Sequence, residues 1–206
     1  MTAHRATGPA LTRPKRAPSS AILRQMPLYR ELIGPAWDGL GEALRRLHAS
    51  DGPVRAAGQS VVEVGETRAL RLLRQLLGFP AAADSAEIRL EILPEAGGER
   101  WRRRFGEVRV ESWEERAGDL LAERFRGVEL RFRLRVEGAG LRFEQTVTAL
   151  RLGPLRLPLP ARLAPRVEAR DDPGHGPAEI RFAVRITLAG RRLLRYAGAV
   201  HVEVPS

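Results

Sequence analysis

The stretch VELRFRLRV, Val128 to Val136, decides the fold. Val128, Leu130, Phe132, Leu134 and Val136 alternate with Glu129, Arg131, Arg133 and Arg135. Successive side chains of a β-strand point to opposite faces, so this spacing predicts a strand with one buried and one wet face, as in an antiparallel sheet. Gly138-Ala139-Gly140 predicts a tight hairpin, and Leu141, Phe143, Gln145, Val147 and Ala149 continue the apolar face on the return strand.

The same alternation extends in both directions. Upstream, Ile88, Leu90 and Ile92 form one face of a strand, and Gly97-Gly98 turns the chain into 99–105. There Trp101, Arg103 and Phe105 share a face opposite Arg100, Arg102 and Arg104. Val108 and Val110 begin a further strand, and Leu121, Glu123 and Phe125 share a face after a turn at Gly118. Downstream, Gly153-Pro154, Pro158, Pro160 and Pro165 predict an extended crossing segment or an edge, because proline cannot donate to a ladder. A polar loop over Asp171–Pro177 leads to a strand carrying Ile180, Phe182, Val184, Ile186 and Leu188. The last strand presents Leu194, Tyr196, Gly198, Val200, Val202 and Val204.

Towards the N-terminus the spacing becomes helical. A short helix is expected from Leu28 to Ile33, and a second opens at Pro35, with Trp37, Leu40, Leu44 and Leu47 on one face. Val54 to Val64 reads as a first strand. Ala69, Leu70, Leu73, Leu76 and Leu77 share a broad helical face that Gly78 and Pro80 end. Eight or nine strands with two or three helices predict an α+β fold: N-terminal helices packed on a curved, mostly antiparallel β-sheet or incomplete β-barrel. Residues 1–25 hold Arg5, Arg13, Lys15 and Arg16 among prolines and small residues, and are expected to be a disordered basic leader. Residues 26–206 are expected to form a single α+β domain.

Composition narrows the function classes. The 206 residues contain no cysteine, which removes disulfides, thiolate catalysis and sulfur-ligated metals together. No apolar run approaches the ~18 residues of a membrane-spanning helix, and no secretory h-region precedes Met26, so a cytoplasmic location is expected. The formal net charge is +10, and 34 of the 35 basic residues are arginine. They are spread through every predicted strand and aromatics do not interleave with them on the charged faces, which argues against a nucleic-acid platform. The histidines His4, His48, His175 and His201 show no metal-ligand spacing, so no metal is expected. There is no strand-linked G-x-G-x-x-G and no G-x-S-x-G, so no dinucleotide cofactor or hydrolase motif is present and no catalytic residue can be assigned. Glu111, Glu114 and Glu115, near Trp113, read as solvated counter-charges to the arginines.

Polar residues that interrupt apolar faces are the site candidates. Arg103 lies between Trp101 and Phe105, and a buried guanidinium needs a partner. It either reaches into a pocket, with Trp101 and Phe105 beside it, to hold a ligand carboxylate or phosphate, or forms an internal ion pair with Glu123. Gln145 and Tyr196 are further ligand-binding candidates, each with a structural alternative: an amide satisfied by the backbone, and a core tyrosine with its tip at a rim.

The strings MPLYRELIG (26–34), GERWRRRFG (98–106), LRLPLPARLAPRVEARDD (155–172) and LLRYAG (193–198) together resemble the bacterial domain of unknown function 4166 family, from about Met26 to Val202. Ala161-Arg162 departs from the pattern, where a bulkier residue is expected beside the leucine. Members of that family occur alone or behind oxidoreductase domains of the saccharopine-dehydrogenase or short-chain type. The resemblance implies company with a dehydrogenase rather than dehydrogenase activity. Two readings follow: a binding module holding a hydrophobic or acidic small molecule in a β-cup, or an accessory domain that docks on an oxidoreductase and has no ligand of its own.

Overall fold

The computed structural model describes residues 26–49 and 52–203; the predicted leader lies outside them. Its elements in chain order are α1 (Leu28–Ile33), a 3-10 turn (Gly34–Gly39), α2 (Glu42–His48), β1 (Val54–Val64), α3 (Arg68–Leu76), β2 (Ala83–Glu95), β3 (Gly98–Phe105), β4 (Val108–Ala117), β5 (Leu120–Phe125), β6 (Val128–Glu137), β7 (Gly140–Leu152), β8 (Leu155–Pro158), β9 (Arg166–Pro173), β10 (Glu179–Leu188) and β11 (Arg191–Val202). The sheet runs β6-β5-β4-β3-β2-β1-β11-β10-β9-β7, and β6 also pairs with β7. That pairing closes ten strands into a ring, with β8 hanging outside on β7. The mostly antiparallel sheet is as expected, but the expectation of an incomplete barrel is corrected, since the ring closes. Closure depends on two pairings of distant segments, β1 with β11 and β7 with β9, which no local pattern announces.

Closing a barrel brings backbones together where the sheet coils most tightly. At the β1–β11 seam, a Cβ on Gly198 would lie 2.0 Å from the carbonyl oxygen of Gln59, and one on Gly58 equally close to that of Ala199. Both positions require glycine. The β6–β7 ladder carries a bulge: Phe132 faces Gln145, but Arg131 faces Val147. Beyond it Thr148, not Val147 or Ala149, shares the interior face with Leu130, so the single apolar face expected along β7 is interrupted.

Alternate turns of an up-and-down barrel lie at opposite ends. One end is closed by the N-terminal helices. The Gly41 N–H donates to the carbonyl of Ala139 in the β6–β7 turn at 2.8 Å, and Arg116 holds Glu31 of α1 at 3.1 Å. Tyr29, Trp37, Leu44 and Leu47 are buried there. The expected second helix is split, because the chain extends at Leu40 between the 3-10 turn and α2. The other end carries the β1–β2 connection with α3, the β5–β6 turn and the β7–β8 hairpin. Phe79, just past α3, stacks on Phe125 at 5.0 Å.

Glu129, at 1% exposure, is the hub that fixes β8. Arg131, Arg156 and Arg151 reach it at 2.8, 2.7 and 3.0 Å, and Arg124 at 3.9 Å. Burial opposes its charge, but hydrogen bonds from Arg156, Arg131 and Arg151 hold its pKa down at about 2. Glu129→Ala removes the shared acceptor while the arginines can turn to water. The expected cost is about 2 kcal/mol, the scale of hydrogen bonds to a charged group. Hydrogen exchange should rise first in β8, and unchanged protection there would show that the hairpin is held by other contacts.

Candidate functional site

The barrel interior is mostly apolar, and its charged side chains gather along one band. Trp101, Arg103 and Phe105 of β3 point inward, opposite Ile92, Leu90 and Ile88 of β2. Trp101 and Phe105 are buried, and the Arg103 guanidinium lies 4.9 Å from the Trp101 ring, a cation–π distance. Cross-strand neighbours share a face, so the register Glu99–Glu114–Glu123 across β3, β4 and β5 turns three carboxylates inward side by side. Arg103 Nη1 donates to Ser112 Oγ at 2.8 Å and to Glu123 Oε1 at 3.3 Å, and Nη2 lies 3.7 Å from Glu114 Oε1. The Tyr29 hydroxyl, from the N-terminal helices, donates to Glu114 Oε2 at 2.7 Å.

These groups perturb one another. Burial and the neighbouring Glu123 push the Glu114 carboxyl well above the ordinary range, against the pull of Arg103. Burial pushes Glu99 up to about 7, although the Trp101 indole donates to it at 3.2 Å. Asp171, half-buried on β9, is likewise pushed up to about 7 by burial, with Arg103 opposing. Burial works against the Arg103 charge, but Glu123, Tyr196 and Glu114 hold its pKa above the normal value. Tyr196 is raised to about 12 by burial. One fixed cation therefore sits among carboxyl groups that burial holds against ionising.

A cavity of about 160 Å³ adjoins this band. Arg103, Glu114, Glu123, Asp171 and Tyr196 meet it on the polar side. Trp101, Phe105, Phe132, Phe143 and Phe182 are among its apolar walls. Phe79 and Pro80 line it towards the α3 end. Tyr196 packs edge-on against Phe105 at 5.1 Å.

The structure thus gathers Arg103, Trp101, Phe105, Tyr196 and Glu123 at one cavity and leaves Gln145 apart. Gln145 spans the gap where β7 and β9 separate: its amide donates to Pro165 O at 2.8 Å and to Thr148 Oγ1 at 2.6 Å, and accepts from the Val167 N–H at 2.5 Å. Those bonds serve backbone that the sheet leaves without a ladder partner.

Several members of the band escaped the sequence reading. Glu114 is 3% exposed and faces inward, which corrects its reading as a solvated counter-charge, while Glu111 and Glu115 do pair outside with arginines. Asp171 was expected in a polar loop, but β9 runs through it. His48 is buried and stacks on Tyr29 at 3.7 Å, with neither ring nitrogen hydrogen-bonded among the described residues. Burial lowers its pKa to about 3, so the ring is neutral. Among the described residues no group of three or more His, Cys, Asp or Glu is placed to hold a metal ion. No helix among them is long and apolar enough to cross a membrane.

Fold and site together define a closed antiparallel barrel with a charged band and a small cavity inside it. The chain belongs to the family described as Domain of unknown function (DUF4166), whose model matches residues 40–200. No curated protein matches the chain. Among solved structures, a protein of unknown function from the DUF3598 family of Nostoc punctiforme PCC 73102 is similar at 15% identity with a TM-score of 0.40. The likeness covers 73% of this chain and 46% of that one, so the chain spans about half the length of that protein.

Proposed function

We propose that the barrel is a binding module for a small amphipathic molecule with an apolar body. The observation that carries this reading is the internal cavity of about 160 Å³, walled by aromatic and aliphatic side chains and met on one side by Arg103, Tyr196 and Asp171. A mostly apolar pocket with a few convergent polar groups and perturbed pKa values is the usual form of a small-molecule site. Its volume lies below the ~300 Å³ at which such sites ordinarily begin. It is close to the ~150 Å³ that accommodates benzene in an engineered apolar core. The occupant is therefore a single ring or short chain, or a larger molecule with one end inserted.

The charge balance narrows the polar end. Arg103 is already engaged by Glu123 and faces Glu114. An acidic head group, the partner Arg103 alone would suggest, would enter beside three carboxyl groups and gain little from one shared guanidinium. A hydroxyl, amide or carbonyl group fits better, since it can exchange hydrogen bonds with Tyr196, Asp171 and Arg103 without adding charge.

Native mass spectrometry of the purified chain, followed by extraction, tests the proposal. The expected result is a bound apolar or amphipathic compound present in the parent and lost from Leu130→Trp, which fills the cavity while keeping an unchanged thermal midpoint. If the parent carries nothing and neither cyclohexanol nor a short-chain alcohol alters the tryptophan fluorescence of a variant that keeps Trp101 alone (Trp37→Phe with Trp113→Phe), nor phenol its thermal midpoint, the binding reading is overturned.

A further inference from the structure

The end of the barrel opposite the N-terminal helices is built unlike the rest of the surface. Helix α3 is apolar on two sides. Leu70, Leu73 and Leu77 are half-buried towards the barrel, but Leu72 and Leu76 stand 58% and 68% exposed on the outward side. The β7–β8 hairpin adds Leu152 at 62% and Leu155 at 54%, and Leu163 beyond it is 64% exposed. These projections lie together. Gly78 after α3 meets the Arg126 guanidinium, Phe79 stacks on Phe125, and Gly127 of the same β5–β6 turn lies against Arg151 at the hairpin base.

Unpaired charge is weighted towards the same end, against Arg30, Arg45 and Arg181 at the helical end. Most arginines on the barrel wall are paired, but Arg68, Arg71, Arg74, Arg126, Arg162 and Arg166 carry no ion pair among the described residues. Arg191, at the start of β11 on this end, is unpaired as well, while two carboxylates of this end, Glu66 and Asp84, also lack a partner among the described residues, so these seven unpaired cations face two unpaired anions. Exposed leucines on short projections, with the unpaired arginines of α3 and of the β5–β6 turn among them, match the requirements of an interfacial membrane site: apolar groups to enter the acyl boundary and cations to meet anionic headgroups. A protein interface is the poorer match, because binding hot spots rest on Trp and Tyr, and leucine is under-represented among them.

We infer that the α3 and β7–β8 end of the barrel docks on the surface of an anionic phospholipid bilayer. The inference is independent of what occupies the cavity, since it rests on the outer surface alone.

Co-sedimentation of the full chain with vesicles tests it. In 0.1 M salt the chain should bind phosphatidylcholine vesicles containing phosphatidylglycerol at least tenfold more tightly than pure phosphatidylcholine. Because the net charge of +10 could attract anionic vesicles through any face, three variants carry the decision. Replacing Leu72, Leu76 and Leu155 by Ser should weaken binding at least tenfold with the charge intact. Replacing Arg68, Arg71 and Arg162 by Gln should weaken it on the order of a hundredfold. The same loss of charge at the helical end, Arg30, Arg45 and Arg181 to Gln, should leave it within a few-fold of the parent. The inference fails if the leucine variant binds like the parent, if both arginine variants lose affinity equally, or if the chain ignores both vesicle types. It fails equally if the exposed leucines prove to be covered in a second copy of the chain, read as a dimer that the Ser variant dissociates.

Discussion

Arg103→Met should lower the stability of the barrel by about 3–5 kcal/mol at pH 7.5, the range found when one member of a buried ion pair is removed. The Arg103 side chain is 16% exposed and its partners Glu123 and Glu114 are 21% and 4% exposed, so water can replace little of what the guanidinium supplies. Methionine keeps most of the volume against Trp101, so the loss measures charge rather than a void. Two further variants separate the causes. Glu123→Gln in the Arg103→Met background should recover a large part of the loss, because it removes the carboxylate left without its cation. Arg103→Lys should recover little, since one ammonium nitrogen cannot meet Ser112 and Glu123 on one side and Glu114 on the other as the two guanidinium nitrogens do. Urea unfolding at pH 7.5 reads all three. A loss below 1 kcal/mol for Arg103→Met would mean that water reaches the cluster and that the interior is wetter than its burial implies.

How much of this was legible in the sequence depends on whether strand parity survives. Trp101, Arg103 and Phe105 keep theirs because β3 pairs with β2 and β4 without a bulge, and Glu123 could be placed opposite for the same reason. Glu99 and Glu114 carried the same signal: Glu99 has the parity of Trp101, and Glu114 that of Val108 and Val110. It was outweighed by the general rule that glutamates beside arginines are solvated. Val147 and Ala149 were misplaced because the bulge at Arg131/Phe132 swaps faces in mid-strand, and nothing in the residues themselves signals it. Asp171 sits in a string whose composition says loop, and only pairing with β10 on one side and β7 on the other makes it a strand. Tyr29 and His48 enter the interior from the N-terminal helices, a tertiary fact with no sequence period. Ring closure was illegible for the same reason, since the β1–β11 ladder joins residues near opposite ends of the described chain.

The inward carboxyl groups give the protein an unusual dependence on pH. An acid whose pKa is higher folded than unfolded holds its proton longer in the native state, so stability falls as pH rises between the two values. Glu99 goes from an ordinary 4.5 to about 7 and Asp171 from 3.8 to about 7. Below the lower values both states are protonated and nothing is lost. Above about 7 the full penalty applies, roughly 3 kcal/mol for Glu99 alone at ~1.4 kcal/mol per pKa unit. Glu129 acts with the opposite sign: its pKa falls from 4.5 to about 2, so its contribution is complete above the unfolded value and is lost as pH drops through the folded one. The two trends cross, and maximal stability is expected at about pH 4, below which Glu129 loses its charge and above which Asp171 and then Glu99 resist theirs, with a decline of several kcal/mol by pH 8. Protonation of other groups and the rising net charge also change with pH, so Glu99→Gln is the decisive comparison. The amide oxygen can still accept from the Trp101 indole but has no charge to bury. Glu99→Gln should therefore match the parent near pH 4.5 and exceed it by about 2–3 kcal/mol at pH 8. A difference between the two proteins that stays constant across that range would show that Glu99 ionises normally and that the interior does not resist its charge.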